Sequence, residues 1–144
     1  MSRSFRLPAR VRFSDTDAAG IMHFSAFFTY LEDAEHALLR SLGLSVCLPQ
    51  PEGWSLSWPR VAADCRFSGS LRFEQAFDVE LTVARLGTKS VTYRGEFLLD
   101  ERSIARGEVT AVCCRIETGK PPVSLEIPAA FREALAPYVN EADG

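Results

Sequence analysis

The apolar periodicity of this chain changes between residues 42 and 59, and that change constrains the fold more than any other feature. From residue 21 to 42 hydrophobic side chains recur at helical spacing, with Phe24, Phe27, Phe28, Leu31, Leu38 and Leu42 on a single stripe. From residue 59 onwards they recur every second position. Val61, Ala63, Cys65 and Phe67 alternate with polar neighbours. Phe77, Val79, Leu81 and Val83 alternate with Asp78, Glu80 and Thr82, and Val91, Tyr93, Phe97 and Leu99 repeat the pattern. Residues 104–116 (IARGEVTAVCCRI) close the series. One helix over 21–42, about 20 residues and roughly 30 Å long, is thus followed by four antiparallel strands. Gly87-Thr88 and Asp100-Glu101-Arg102 serve as hairpin turns. An alternating segment over 5–13 (FRLPARVRF) adds a strand ahead of the helix, and its Pro8 marks an edge or a bend. Gly43 stops the long helix, and a short C-terminal helix over 129–139 follows Pro128.

Strand, long helix and four strands make an α+β layer structure, read as a single domain over 1–144. A helix this apolar needs a sheet curved around it, and such a sheet keeps an open edge, so a homodimer is expected. The stretch 45–58 (SVCLPQPEGWSLSW) holds two prolines and two tryptophans. It reads as a structured loop that either lids a pocket or covers the sheet edge.

Composition removes several functions. With 47% apolar and 24% charged residues in 144, the chain has the balance of an ordinary globular protein. No stretch approaches the apolar length of a membrane span. The basic N-terminal segment lacks the apolar core of a secretion signal, which points to the cytoplasm. The net charge of −3, without any block of one sign, argues against nucleic acid or an anionic membrane as partner. Cys47, Cys65, Cys113 and Cys114 show no C-x-x-C or C…H spacing, so no metal site is expected. All four are read as reduced packing residues, with Cys113 and Cys114 on opposite faces of a strand.

The densest polar signal is Asp15, Thr16, Asp17 and Gly20, followed by His23 at the start of the long helix. The first amides of a helix lack internal acceptors and carry the positive end of its dipole. A carbonyl placed there has its developing oxyanion stabilised, and a carboxylate alongside can attack it or take a proton from water. Taken alone, the same aspartates also read as simple helix caps. His23 reads equally as an imidazole that orients water or as a structural side chain bonded to a backbone carbonyl.

The string FSDTDAAGIMHFSAFFTYLEDAEHALLRSLGL resembles the signature of the 4-hydroxybenzoyl-CoA thioesterase family of hotdog-fold enzymes. Its D-x-D-x-x-G turn is Asp15, Asp17 and Gly20; its aromatic first helical turn is Phe24, Phe27 and Phe28; its helix glutamate is Glu32. Residues 61–83 and the segment RLGTKSVTY (85–93) resemble later strands of that family. The resemblance implies a hotdog fold, in which a five-stranded antiparallel sheet wraps one long central helix. It also implies homodimers, some stacked into homotetramers, with active sites at the dimer interface. The implied substrate is an acyl-CoA, with no cofactor beyond the coenzyme A it carries. By the same resemblance Asp17 is the catalytic residue, and Gly20 and Ile21 lie by the oxyanion-binding amides. One branch has a histidine seven residues after its aspartate; here that position is Phe24, and His23 comes one residue earlier.

The reading that results is hydrolysis of an acyl-CoA thioester to free acid and CoA. Phe24, Phe27 and Phe28 line the acyl crevice, and Arg60, Lys89 and Ser90 are candidates for the CoA phosphates. Glu35 falls inside the apolar stripe and Glu32 at its border, which calls for pairing with an arginine. Asp64 reads as an exposed strand residue. The rivals are a hotdog dehydratase or hydratase and a non-catalytic acyl-CoA-binding protein.

Overall fold

Residues 2–141 are described by the structure, a computed structural model. Met1 and residues 142–144, the two ends of the expected 1–144 domain, lie outside them. In chain order the elements are β1 (Phe5–Arg10), α1 (Phe24–Ser41), β2 (Cys47–Pro49), β3 (Ser55–Ser57) and β4 (Arg60–Phe67). They continue with β5 (Ala76–Leu86), β6 (Ser90–Leu99), β7 (Arg102–Val112), β8 (Cys114–Ile116), β9 (Val123–Ser124) and α2 (Ala129–Leu135).

The large sheet is antiparallel throughout and has five strands in the order β1-β5-β6-β7-β4. Its inner face carries the alternating apolar residues. Phe77, Val79, Leu81 and Val83 of β5 and Val91, Tyr93 and Phe97 of β6 are all buried against α1. The outer face carries charge, and its residues pair along and between strands: Arg6 with Asp78 and Glu80, Arg94 with Glu108, and Glu96 with Arg106.

The helix approaches the sheet closely because two glycines face each other beneath it. Gly95 on β6 pairs with Gly107 on β7, and Leu31 lies in the trough between them. A Cβ at Gly95 would stand 2.4 Å from Leu31 Cδ1, and one at Gly107 would stand 3.3 Å from Leu31 Cδ2. Leu31 is almost fully buried there, a burial of about 2 kcal/mol at the usual transfer value.

The strand total exceeds the five expected. A second sheet, in the order β2-β3-β8-β9, is built from two- and three-residue strands, two of them inside the stretch read as a loop. It is a continuation of the first, since β7 and β8 are separated only by Cys113. That break takes Cys113 out of the strand, and Cys113 and Cys114 are both buried. Their interruption comes from Cys113 itself, whose amide donates to Lys89 O and whose carbonyl accepts from Leu125. The two tryptophans serve this region. Trp58 packs on Phe131 of α2 with ring centroids 5.2 Å apart, and Trp54 carries the Arg115 guanidinium on its face.

Several boundaries differ from the sequence reading, among them the first strand, which ends at Arg10 and not at 13. The long helix starts at Phe24, not at 21, because Ile21 and Met22 are held extended. Met22 N–H donates to Leu71 O, and Met22 bridges Thr16 while Ile21 bridges Arg72. The C-terminal helix ends at Leu135, since Pro137 tightens the next turn. The β6–β7 hairpin turns on Asp100 and Glu101 alone, both with positive φ (50° and 64°).

Candidate active site

Asp15 and Asp17 are near neighbours with separate tasks. Asp15 closes a short 3-10 turn after β1. Its Oδ2 accepts from the Arg12 amide at 2.9 Å and from the Tyr30 hydroxyl, while its carbonyl accepts from the His23 amide at 2.7 Å. These bonds tie the turn to the body of α1. Burial, then the bond to Asp15, push the Tyr30 hydroxyl above its ordinary pKa.

Asp17 opens a tight reversal. Its amide donates to Ile21 O at 3.0 Å, its carbonyl accepts from Gly20 N–H at 2.9 Å, and its Oδ1 accepts from Ala19 N–H at 2.8 Å. The reversal requires Gly20 at φ +79°, a conformation that side-chain-bearing residues rarely adopt. Asp17 then forms part of a cleft of about 190 Å³, lined also by Ile21, Met22, Phe24, Phe27, Phe67, Gly69 and Ser70.

At the start of α1 the amides are shared out unevenly. His23 is the N-cap: its Nδ1 accepts from the Ser25 amide at 3.2 Å and lies 2.8 Å from the Ser25 hydroxyl. Its carbonyl accepts from Ala26 N–H at 3.0 Å. The Phe24 amide, the first of the helix, has no acceptor among the described residues, and neither has the Ile21 amide. The Gly20 amide, in contrast, is spent inside the Asp17 reversal. His23 itself stays outside the cleft lining, with its ring against that of Phe24 at 4.5 Å.

A second recess lies along the same line between α1 and β4. Its volume is about 130 Å³, and it is lined by Phe28, Leu31, Glu32, Glu35, Arg60, Ala63, Tyr93 and Val109. Phe28 therefore faces this recess, while Phe24 and Phe27 face the Asp17 cleft. Phe27 and Phe67, edge to face at 4.9 Å, form a wall of the Asp17 cleft. Glu35 is buried and takes both guanidinium nitrogens of Arg60, at 2.6 and 2.9 Å; Glu32 takes a third contact at 3.3 Å. Arg60 is thus the arginine that Glu35 requires, and its guanidinium is turned to the two acids.

Ser90 begins β6 and Lys89 directly precedes it; the other end of the strand approaches the cleft. Ser90 pairs with Val112, whereas Phe97 pairs with Ala105 and Ala105 with Phe67. Seven residues of strand, about 23 Å, separate Ser90 from that level, so one protomer does not bring Lys89 and Ser90 to Asp17. Asp64 is exposed on the outer face of β4. Sequence reasoning missed Phe67, Gly69 and Ser70, which form the far wall, and Arg72. The Arg72 guanidinium reaches to within 4.0 Å of a Cβ position at Gly20, beside the Asp17 reversal. Their one signal was the FSGS turn that ends the alternating run of β4.

Residues 11–135 match a family model described as the thioesterase-like superfamily. The chain belongs to the thioesterase-like superfamily. Among its relatives is a 1,4-dihydroxy-2-naphthoyl-CoA hydrolase of Synechococcus sp. (strain WH7803), 29% identical over 119 residues that cover 78% of each chain. Among solved structures, BH1999, a gentisyl-coenzyme A thioesterase, superposes with TM-score 0.75 at 28% identity over 90% of this chain and 98% of that one. A 1,4-dihydroxy-2-naphthoyl-CoA thioesterase from Synechocystis, Slr0204, superposes with TM-score 0.79 over 99% of both chains; at 22% identity it shares the fold. The thioesterase-like fold seen here is that of these hotdog enzymes, and the chain is an enzyme of the thioester hydrolase class. Among the described residues no helix is long and apolar enough to cross a membrane.

Proposed function

We propose that this protein hydrolyses acyl-CoA thioesters and that Asp17 carries the reaction. The supporting observation is that Asp17 and Phe24, whose amide has no acceptor among the described residues, line one cleft at the N-terminus of α1. With the thioester carbonyl oxygen at the Phe24 amide, the helix dipole and one directed hydrogen bond meet the charge that develops on it. Asp17 then attacks the carbonyl carbon, releasing CoA thiolate and leaving an anhydride that water hydrolyses. Alternatively it takes a proton from a water that attacks the same carbon. The thiolate leaves readily, so neither route needs a strong general acid. Met22, Phe24, Phe27 and Phe67 give the acyl group an apolar wall. The Synechococcus hydrolase and BH1999 are named for aryl-CoA esters, which makes aryl-CoA esters the first compounds to assay.

The second protomer is part of the proposal. β4 is an open edge of the large sheet, and Val61 and Phe67 on it are exposed. Because Ser68 N–H donates to Ile104 O, the ladder alternation turns the backbone groups of Ala62, Asp64 and Arg66 toward β7. Those of Ala63, Cys65 and Phe67 point outward. A twofold pairing centred on Cys65 sets Asp64 opposite the partner's Arg66, and Arg66 opposite the partner's Asp64. Centring on Asp64 or on Arg66 instead opposes like charges. In the Cys65 register the antiparallel partner strand runs its β6 start toward Asp17. The partner's Lys89 and the partner's Ser90 then stand at that end of the joint sheet, with Arg72 beside the reversal as a further cation for the CoA phosphates.

The test is thiol release across a panel of aryl- and alkyl-CoA esters, comparing the wild type with Asp17→Asn. Asparagine keeps the Oδ1 acceptor for Ala19, so the reversal survives. A fall of about 10²–10⁴ in kcat with unchanged melting is the expected result. A wild type that binds CoA esters and releases no thiol is a binding module, and a variant that keeps full turnover removes Asp17 from the mechanism.

A further inference from the structure

The recess beyond Phe27 and Phe67 holds a polar group that the fold leaves unused. Tyr93 is 3% exposed, lines the recess, and its hydroxyl makes no hydrogen bond among the described residues. The ring of Tyr93 is buried and its hydroxyl is left free to bond to whatever enters the recess, whose wall beside it is formed by Phe28, Leu31, Ala63 and Val109. The remaining lining is apolar except for Glu32, Glu35 and Arg60, and these are bonded to one another. Two carboxylates against one guanidinium leave this floor negative.

We propose that the Tyr93 hydroxyl recognises the far end of the acyl group, and that it selects acyl groups ending in a neutral hydroxyl or carbonyl. This rests on the acyl-CoA reading of the Asp17 cleft. The two recesses follow one another along α1, the first at Phe24 and Phe27, the second at Phe28, Leu31 and Glu35. Seven residues of helix from Phe24 to Leu31 span about 10 Å, which sets the length of the acyl group. Its body passes Phe27 and Phe67, which accept only apolar surface. Its terminal oxygen meets Tyr93, which donates its proton to it. Burial and the charge of Glu35 both hold that phenol in its protonated, donating form. A terminal carboxylate is excluded by the same acids, since a buried anion beside them has no free cation to pair with. Glu35 and Arg60 act here as a positioning pair that fixes the sign of the floor.

The experiment compares kcat/KM for decanoyl-CoA, 10-hydroxydecanoyl-CoA and the mono-CoA ester of decanedioic acid. A fourth and fifth substrate, an aryl-CoA with and without a hydroxyl on the ring edge remote from the thioester, cover the aromatic case. In the wild type the hydroxylated member of each pair is expected to be preferred by about tenfold, one hydrogen bond's worth. The dicarboxylic ester is expected to be the poorest substrate. Tyr93→Phe keeps the ring and is expected to bring each hydroxyl preference close to one. Equal rates within both pairs in the wild type, or a preference that survives in Tyr93→Phe, overturn the assignment while the thioesterase reading stands. Absence of thiol release from all five overturns the thioesterase reading itself.

Discussion

Leu31 sits directly over Gly95, at a distance that admits no side chain between the helix and β6. The depth of the central helix in its sheet, and with it the width of both recesses, depends on that contact. Gly95→Ala brings a methyl group to 2.4 Å from Leu31 Cδ1, so the helix must lift or Leu31 must leave its rotamer. The expected loss is about 1–3 kcal/mol of stability, read from urea midpoints. Leu31→Ala in the same chain should recover part of it, because the two changes share one contact. Strictly additive losses would contradict the contact.

The Phe24 amide can be removed without disturbing the helix. Proline is well tolerated at the first helical position, and His23 before it has the extended conformation that proline requires (φ −63°, ψ 143°). Phe24→Pro is therefore expected to fold with an unchanged circular dichroism spectrum and to lose about 10²–10³ in kcat. Phe24→Ala, which keeps the amide, controls for the ring and should keep the larger part of kcat. Equal losses in the two variants would assign the effect to the ring alone.

Arg60 neutralises a carboxylate that has no other cationic partner among the described residues. Glu35 is 4% exposed, so Arg60→Met leaves it buried and unpaired, at a cost of about 3–5 kcal/mol. Replacing both, as Arg60→Met with Glu35→Leu, is expected to restore most of the stability, since the ion pair sits in an otherwise apolar recess. Thermal unfolding of the single and double variants measures this directly.

Charge reversal tests the proposed strand pairing. Asp64→Arg should set arginine against the partner's Arg66 and shift the protein toward monomer in sedimentation. Asp64→Arg combined with Arg66→Asp should restore the dimer with the charges exchanged. A dimer that survives the single reversal uses another register.

Stability is expected to be flat through neutral pH and to fall on the alkaline side. Burial, foremost, holds the Tyr30 and Tyr93 phenols above the ordinary 10.0. The Cys65 and Cys113 thiols are pushed up to about 11 by the same cause. The unfolded chain releases these protons first, so unfolding gains as pH rises past 9 to 10, and the stabilisation is complete below that window. The slope is at most about 1.4 kcal/mol per pH unit for each group. Tyr30→Phe should flatten the fall in melting temperature above pH 10.

Much of this architecture is legible in the residues themselves. The apolar stripe of α1 and the alternation of β4 to β7 are local patterns, and each maps onto one element with shifts of a few residues at the ends. The need of Glu35 for an arginine is equally local, because it follows from its place in the stripe. Which arginine answers is not local: Arg60 faces Glu35 only because β4 pairs with β7 in a register shifted between Arg60 and Ala62. The helix start at Phe24 depends on Leu71, a contact nearly fifty residues away in sequence. Likewise β3 is three residues long and pairs with β8, some sixty residues on. Tyr93 carries no mark at all in the alternation that contains it. Its unused hydroxyl is visible only once α1 and β4 stand on either side.

The closeness of Asp15 and Asp17 has a practical consequence for mutational surveys. A routine alanine scan would silence the protein at both places for unrelated reasons. At one, the clasp between a turn and the Tyr30 hydroxyl comes undone and the chain loosens; at the other, the reversal gives up a single bond to the Ala19 amide together with the carboxylate proposed to act on the thioester. Activity alone would rank them together, and only a melting curve taken beside it would tell a broken hinge from a missing blade.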